Sequence, residues 1–322
     1  MSKILVTGGS GFIGSALAER LIQKSDNYVV IVDNLSTGDF GKLPNLPKTN
    51  WRFIKCDVND YSEIAPIMTS YMFDYVFHFA AVVGVQRTQE NPVMVLKDIE
   101  GIKNILSLSK NTTVQRIFFS SSSEIYGDPV EVPQNVYTTP LNSRLPYAIV
   151  KNVGEAFMRS YKQEFDLDYT IFRFFNTYGP KQSKDFVISK FLLAALNDQD
   201  ITIYGDGSQT RTFCFIDDNV DACLTTLYEN KVVNDVINIG GNREISIKEL
   251  AEIIIRLTNS KSKIVYVDPL KDGDMKRRQP DNSEMKRLIG RNLLSVEEGI
   301  KKLLEIGLYE SINYKACNEA KR

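Results

Sequence analysis

The sequence has a single histidine, His78, and four scattered cysteines, Cys56, Cys214, Cys223 and Cys317, with no Cys-x-x-Cys pair. This scarcity argues against a metal centre, because a zinc site needs several such ligands at short spacing. It also argues against a disulfide framework and suits reduced thiols in a cytosol. Neither charge is in excess: 39 Lys plus Arg face 40 Asp plus Glu, a net charge of −1. No general attraction for nucleic acid or an anionic membrane is expected, so any bound anion must be held locally. Long apolar runs are missing as well. The stretch from Tyr28 to Val32 falls far short of the roughly 20 residues of a membrane span, and no secretory leader pattern precedes the first strand pattern. A cytoplasmic protein is the expectation. At 322 residues the chain exceeds the roughly 250 to 300 at which single cores stop growing, so two lobes are expected.

What is present begins almost at once. Ile4-Leu5-Val6 reads as a strand, Gly8-x-x-Gly11-x-x-Gly14 as a turn, and the spacing of Ile13, Leu17 and Leu21 as a helix. Gly8 permits a tight bend, Gly11 lets a pyrophosphate approach bare backbone, and Gly14 lets the helix lie close on the strand. The helix N-terminus then faces the negative charge. Glycine-rich turns also serve ordinary strand-to-helix connections, so the context decides. That context follows in Tyr28–Asp33, a second strand pattern ending in an acid about 20 residues after the glycines. A carboxylate there accepts hydrogen bonds from ribose hydroxyls and repels a 2′-phosphate, which favours NAD over NADP. Residues 34–50 read as loop.

Strand patterns at 51–57 and 75–81, separated by a helical stretch from Tyr61, continue an alternation that points to a parallel, doubly wound α/β sheet. His78, in an apolar strand, reads as a structural residue, while the small Ala80 and Ala81 after it would let a flat cofactor approach. A helix over 92–110 leads to a strand at 115–119 that runs into Ser120-Ser-Ser122-Ser123-Glu124. These polar residues lie at the carboxyl end of a central strand, where open α/β sheets place ligands. Pro146 opens a helix through Phe165 on which Tyr147 and Lys151, four apart, share a face. An ammonium beside a phenol lowers its pKa from about 10 and makes it a usable base. Ile201–Tyr204 and Thr212–Ile216 read as two strands around a Gly205-Asp-Gly-Ser208 turn, with Arg211 near its mouth; an Arg fork suits a diphosphate. Ser246-Ile-Lys-Glu249 is a capping box that starts a helix, and 313–322 read as a frayed end.

Together, Thr7-Gly8-x-x-Gly11-x-x-Gly14, Asp57, His78-Phe-Ala-Ala81, Ser122 four before Tyr126, Tyr147-x-x-x-Lys151, Phe175-Asn176-Thr-Tyr178-Gly-Pro180 and Gly205-Asp-Gly-Ser-Gln-Thr-Arg211 resemble the extended short-chain dehydrogenases that act on nucleotide sugars. The resemblance runs to about Leu304. It implies a Rossmann-type NAD-binding domain over 1–175, to which 213–243 return, and a smaller C-terminal α/β lobe over 176–212 and 244–322 for the nucleotide sugar. It implies NAD held by Gly8, Gly11, Phe12, Ile13, Asp33, Asn34, Asp57, Val58, Phe79, Ala80, Ala81, Tyr147 and Lys151, with Asp57 at the adenine. Tyr147 would take the proton of a sugar hydroxyl that Ser122 also bonds, and Lys151 would hold the nicotinamide ribose. Asn176 and Arg211 would meet the substrate diphosphate, and Arg278 a phosphate or carboxylate. The helices at 92–110 and 147–165 resemble the family's dimer-forming pair, with Met158 and Tyr161 on an isologous homodimer surface or in the chain's own core.

Two positions depart from the family pattern. Asp98 stands where many relatives carry Asn, which puts the local backbone bonding in question. Ser122-Ser123-Glu124 carries an acid that plain 4-epimerases commonly lack and that 4,6-dehydratases and glucuronate decarboxylases carry, yet without the usual Asp–Glu dehydratase pair. The expectation is an NAD-dependent nucleotide-sugar epimerase/dehydratase that first oxidises C4, with Ser122, Ser123, Glu124, Tyr147 and Lys151 as its catalytic group. Decarboxylation of a uronate and release of the 4-keto sugar are the alternatives. A non-catalytic NAD-binding protein would be expected to have lost Tyr147 or Lys151.

Overall fold

The computed structural model describes residues 1–269 and 277–307; the expected frayed stretch at 313–322 and Cys317 lie outside the described residues. The β-branched and aromatic runs form strands β1 (Ser2–Thr7), β2 (Asn27–Asp33), β3 (Trp51–Lys55), β4 (Tyr75–His78), β5 (Arg116–Ser122) and β6 (Asp168–Phe174). Shorter strands follow: β7 (Thr177–Tyr178), β8 (Ile201–Tyr204), β9 (Thr210–Thr212), β10 (Cys214–Phe215), β11 (Asp235–Ile239), β12 (Glu244–Ser246) and β13 (Ile264–Val267). Among the described residues, seven of them make one parallel sheet in the order β11-β6-β5-β4-β1-β2-β3. The strand order reverses between β1 and β4, the switch point at which doubly wound folds bind ligands.

Helices cover both faces of this sheet, so its strands are apolar on both sides. The helices are α1 (Phe12–Ile22), α2 (Tyr61–Tyr71), α3 (Val85–Glu90), α4 (Pro92–Leu96), α5 (Asp98–Lys110), α6 (Pro146–Phe165), α7 (Val187–Leu196), α8 (Ile216–Tyr228), α9 (Ile247–Thr258), α10 (Ser283–Ile289) and α11 (Val296–Glu305). Successive strand residues point to opposite faces, and the core divides accordingly. Ile4, Val6, Val29, Ile31, Phe118 and Phe172 pack with Leu17 and Leu21 of α1. Leu5, Val30, Val32, Ile117, Phe119 and Ile171 pack with Ile64 and Met68 of α2 and Ile105 and Leu106 of α5. No helix among the described residues is long and apolar enough to cross a membrane.

Three local expectations come out differently. The helix expected over 92–110 is two helices, because the Glu100 N–H reaches Lys97 O at 3.0 Å in a tighter step at the junction of α4 and α5. The strands at 201–204 and 212–216 are not a hairpin: β8 pairs in parallel with β13, β9 antiparallel with β12, and β10 in parallel with β7. The turn between them, with Gly205 and Gly207 at φ of +69° and +75°, is tied instead to the start of α9 through Gln209 O and Gly207 O. The capping box at Ser246 is half made. Ser246 accepts the Glu249 N–H at 3.0 Å, but the Glu249 carboxylate turns to Arg243. Of the two places left open for Met158, the chain's own core is where it lies, 1 % exposed, while Tyr161 lies against that core and Phe165.

Candidate functional site

The glycine turn closes by backbone packing. Gly8 holds a φ of +67°, and a Cβ there would meet the Ala80 nitrogen at 2.7 Å; one on Gly14 would meet Gly8 O at 2.4 Å. No side chain other than hydrogen fits either place, so α1 is drawn against β1 with its N-terminus open at Gly11. Thr7 Oγ1 accepts the N–H groups of Phe79 and Ala80, each at 3.1 Å, and lies 2.9 Å from His78 Nδ1. This fastens the ends of β1 and β4 together at the switch point. His78 is buried, and burial and the Lys151 charge push its pKa down to about 3, so the imidazole is neutral.

Asp33, at the end of β2, accepts the Ser10 N–H at 3.0 Å and the Leu35 N–H at 2.8 Å, and Asn34 donates to Asp57 at 3.2 Å. Asp33, Asn34, Asp57 and the buried Val58 therefore gather beside the glycine turn, whose Phe12 and Ile13 head α1. These residues fit a dinucleotide. The turn presents bare backbone at a helix N-terminus, the buried Ser10 Oγ has no bonding partner, and a carboxylate with spare lone pairs ends the neighbouring strand.

The reactive group forms where β5 runs out. Ser122 Oγ accepts the Glu124 N–H at 3.2 Å, capping a short 3-10 turn over Ser123–Tyr126, and the Ser122 hydroxyl faces the Tyr147 phenol. Lys151, 3 % exposed, donates from Nζ to Ser120 Oγ at 3.2 Å, with Nζ 5.7 Å from the centre of the Tyr147 ring. Across the cleft, Arg278, 9 % exposed, brings Nη1 to 3.6 Å from Glu124 Oε1. Its neighbour Arg277 makes a two-pronged contact with Glu244 of β12 at 2.8 and 2.7 Å. The backbones of Gln279 and Asp281 bond Gln134 at 2.7 and 2.8 Å, so the Arg278 segment is strapped at both ends.

The electrostatics differ from the expectation in one respect. Burial pushes the Tyr147 phenol well above its usual range, helped by the charges of Glu124 and Asp98; the Ser122 hydrogen bond and the Arg278 cation oppose it. Lys151 is not what lowers it here, because its ammonium is turned to Ser120 and is itself pushed down to about 8 by burial, against the pull of Asp98.

Asn176 and Arg211 are each tied to the backbone of β9. Arg211 lies buried on β9, where Nη1 donates to Thr210 O at 2.7 Å, and Asn176 Nδ2 reaches Thr212 O at 3.4 Å. Sequence reading passed over a buried network under the reactive turn. Glu155, 0 % exposed, accepts from Ser121 Oγ at 2.7 Å and from Arg173 Nε and Nη2 at 2.8 and 2.7 Å. Arg173 also donates to the Tyr126 hydroxyl at 2.9 Å, which donates to Asn238 at 2.8 Å. The signals were present: Glu155 follows Lys151 by four on one helix face, and Arg173 is a lone charge in the apolar run Tyr169–Phe175.

The sequence model of the NAD dependent epimerase/dehydratase family matches residues 4–240. The chain is 35% identical over 318 residues to a UDP-N-acetyl-alpha-D-glucosaminuronate decarboxylase of Bacillus cytotoxicus, covering 94% of this chain and 97% of that one. Among solved structures it is similar to the UDP-glucose 4-epimerase of Thermotoga maritima with UDP-glucose, with a TM-score of 0.87, 32% identity, and 93% and 96% of the two chains covered. It is also similar to the UDP-glucuronic acid 4-epimerase of Bacillus cereus in complex with UDP-glucuronic acid and NAD, with a TM-score of 0.86, 26% identity, and 97% and 99% covered.

Proposed function

This chain belongs to the NAD-dependent epimerase/dehydratase family, and on that premise we propose that it oxidises C4 of a nucleotide-diphosphate uronic acid and then releases the C6 carboxylate as carbon dioxide. The observation that carries this reading is Arg278, a nearly buried cation whose field reaches the Tyr147 phenol and whose counter-ion, Glu124, stands 3.6 Å away. A group acting at O4 beside a guanidinium suits a sugar that bears a carboxylate on the next ring carbon.

Bound NAD supplies the acceptor for the C4 hydride and later its donor. Tyr147 takes the O4 proton, Ser122 holds that oxygen, and the Lys151 ammonium favours the phenolate once it turns toward the phenol. The C4 ketone makes the uronate a β-keto acid, so the C5–C6 bond breaks and its electron pair passes into the ketone as an enolate. Arg278 holds the carboxylate before it leaves. Glu124, displaced from Arg278 by that carboxylate, takes up a proton from water and delivers it to C5, with Ser123 beside it. Gly8, Gly11, Phe12, Ile13, Asp33, Asn34, Asp57, Val58 and Phe79 to Ala81 hold the dinucleotide. Asn176 and Arg211 hold the substrate diphosphate from the C-terminal lobe. A second copy covers the exposed Ile149 and Phe165 of α6 in a homodimer, which light scattering reads as twice the chain mass.

The test is incubation with UDP-glucuronate, UDP-N-acetylglucosaminuronate and UDP-glucose, reading product masses. Loss of carbon dioxide from a uronate supports the proposal. A uronate product of unchanged mass, or turnover of the neutral sugar alone, overturns it in favour of epimerisation. The Tyr147→Phe protein should lose turnover while still binding NAD.

A further inference from the structure

Arg278 and Glu124, the charges that meet the sugar carboxylate in the proposed reaction, belong to segments far apart in sequence, and one buried side chain bonds to both segments. Asn238 lies on β11, beside Arg173 of β6 in the register of the sheet, and is 2 % exposed. Its Oδ1 accepts the Tyr126 hydroxyl at 2.8 Å, and Tyr126 closes the 3-10 turn that carries Glu124 two residues earlier. Its Nδ2 donates to Gln134 O at 2.8 Å and to Asp281 O at 3.4 Å. Gln134 is the residue that straps the Arg278 segment: its N–H donates to Gln279 O at 2.7 Å, and its O accepts the Asp281 N–H at 2.8 Å.

The chemistry of the amide fixes which way round it sits. Gln134 O and Asp281 O can only accept, so the end facing them is the NH2 group, which leaves the amide oxygen for Tyr126. The Tyr126 hydroxyl in turn receives Arg173 Nη1 at 2.9 Å, so its own proton is directed to Asn238. Donors therefore run one way, from the Arg173 guanidinium through the Tyr126 hydroxyl to the Asn238 carbonyl, and the Asn238 NH2 group passes on to the strap. Asp, of the same shape, lacks the donor, and Leu lacks both groups. Tyr126 and Arg173 are each 1 % exposed, so water does not replace a lost member of this chain of bonds.

We propose that Asn238 is a positioning residue that ties the Glu124 turn to the Arg278 strap and so holds the two charges at the spacing, 3.6 Å from Nη1 to Oε1, into which a sugar carboxylate inserts. It acts through the two segments it bonds. The carboxylate as ligand rests on the decarboxylation reading; the link between the segments does not. Cutting the link at either end has one consequence. Arg278 and Glu124 no longer share a fixed distance, and ordering them costs part of the binding of a uronate, while a neutral sugar loses little.

Two variants cut the link at opposite ends. Tyr126→Phe removes the hydroxyl and leaves the strap's own bonds in place; Asn238→Asp keeps the acceptor for Tyr126 and removes the donor to Gln134. Hydrogen exchange in the substrate-free protein reads the link directly. Protection of the Gln134 and Asp281 amides should fall about tenfold in each variant, and no further in the double variant. Ile64→Val, a core change in α2, should leave these two amides unmoved. Unchanged protection in Tyr126→Phe, additive losses in the double variant, or an equal loss in Ile64→Val each overturn the proposal. In kinetics, KM for UDP-glucuronate should rise about tenfold in both variants, with kcat changed far less and NAD affinity unaltered; an unmoved KM overturns it. If the wild type does not turn over uronates, the reading of the reaction fails and the exchange result still decides the link. Should Asn238→Asp not fold, Tyr126→Phe carries both measurements.

Discussion

At the scale of single residues, chemistry here is set by burial more than by composition. His78 is an imidazole in a sequence with no other, which invites a catalytic role, yet it is enclosed between β1 and β5 and bonded to Thr7. Its pKa falls to about 3 because the charged form loses its water. Between that value and its usual 6.5, the unfolded chain binds a proton that the folded chain refuses, so stability rises with pH across this window. The single imidazole resonance in a proton NMR titration should stay unshifted down to pH of about 5, and a midpoint near 6.5 would show that the ring is open to solvent. Urea unfolding should meanwhile show a loss that steepens below pH 6.5 toward about 1.4 kcal/mol per pH unit.

Among the elements, α6 does most to build the reactive turn, because one of its faces carries Tyr147, Lys151 and Glu155 in successive turns. Glu155 and Arg173 form a buried, two-pronged pair, and through Ser121 and Tyr126 it grips both ends of the Ser122–Tyr126 segment. Removing one partner strands the other charge without water, so Glu155→Leu or Arg173→Met should cost about 3–5 kcal/mol in urea unfolding. The Glu155 carboxyl is buried, but Arg173, Ser121 and Arg159 hold its pKa below the usual 4.5. Its contribution is therefore present above about pH 4.5 and lost as pH falls through the folded value. A Glu155→Gln protein should lack that part of the acid loss; an identical acid limb in both proteins would rule the pair out as its source.

For the whole molecule, the region we propose for the dinucleotide joins the ends of β1, β2 and β4 with the turn after β3, so a dinucleotide bound there would tie together segments far apart in sequence. A ligand that binds only the folded chain stabilises it by mass action, about 2.7 kcal/mol at one hundred times its Kd. NAD should therefore raise the melting temperature of the purified protein. NADP at the same concentration should do much less, because Asp33 would face its 2′-phosphate; equal shifts would remove Asp33 as the selector. An Asp33→Ser protein should lose the distinction.

The alternation of strand and helix, the glycine turn, Asp33 at the end of β2 and the Tyr147–Lys151 pair were legible in the sequence by itself, because each is a local pattern: alternation, spacing or helical periodicity within a few residues. The strands around Gly205 were misread as a hairpin for the complementary reason, since nothing within 201–216 tells that β8 and β9 find their partners at 264–267 and 244–246. Only the tertiary structure decided that Met158 faces inward, that Arg278 comes to Glu124 from 154 residues away, and that Lys151 turns to Ser120, buried. Burial and electrostatic fields depend on what the fold brings within a few ångströms, and that is a property of all the segments packed together, not of any one of them.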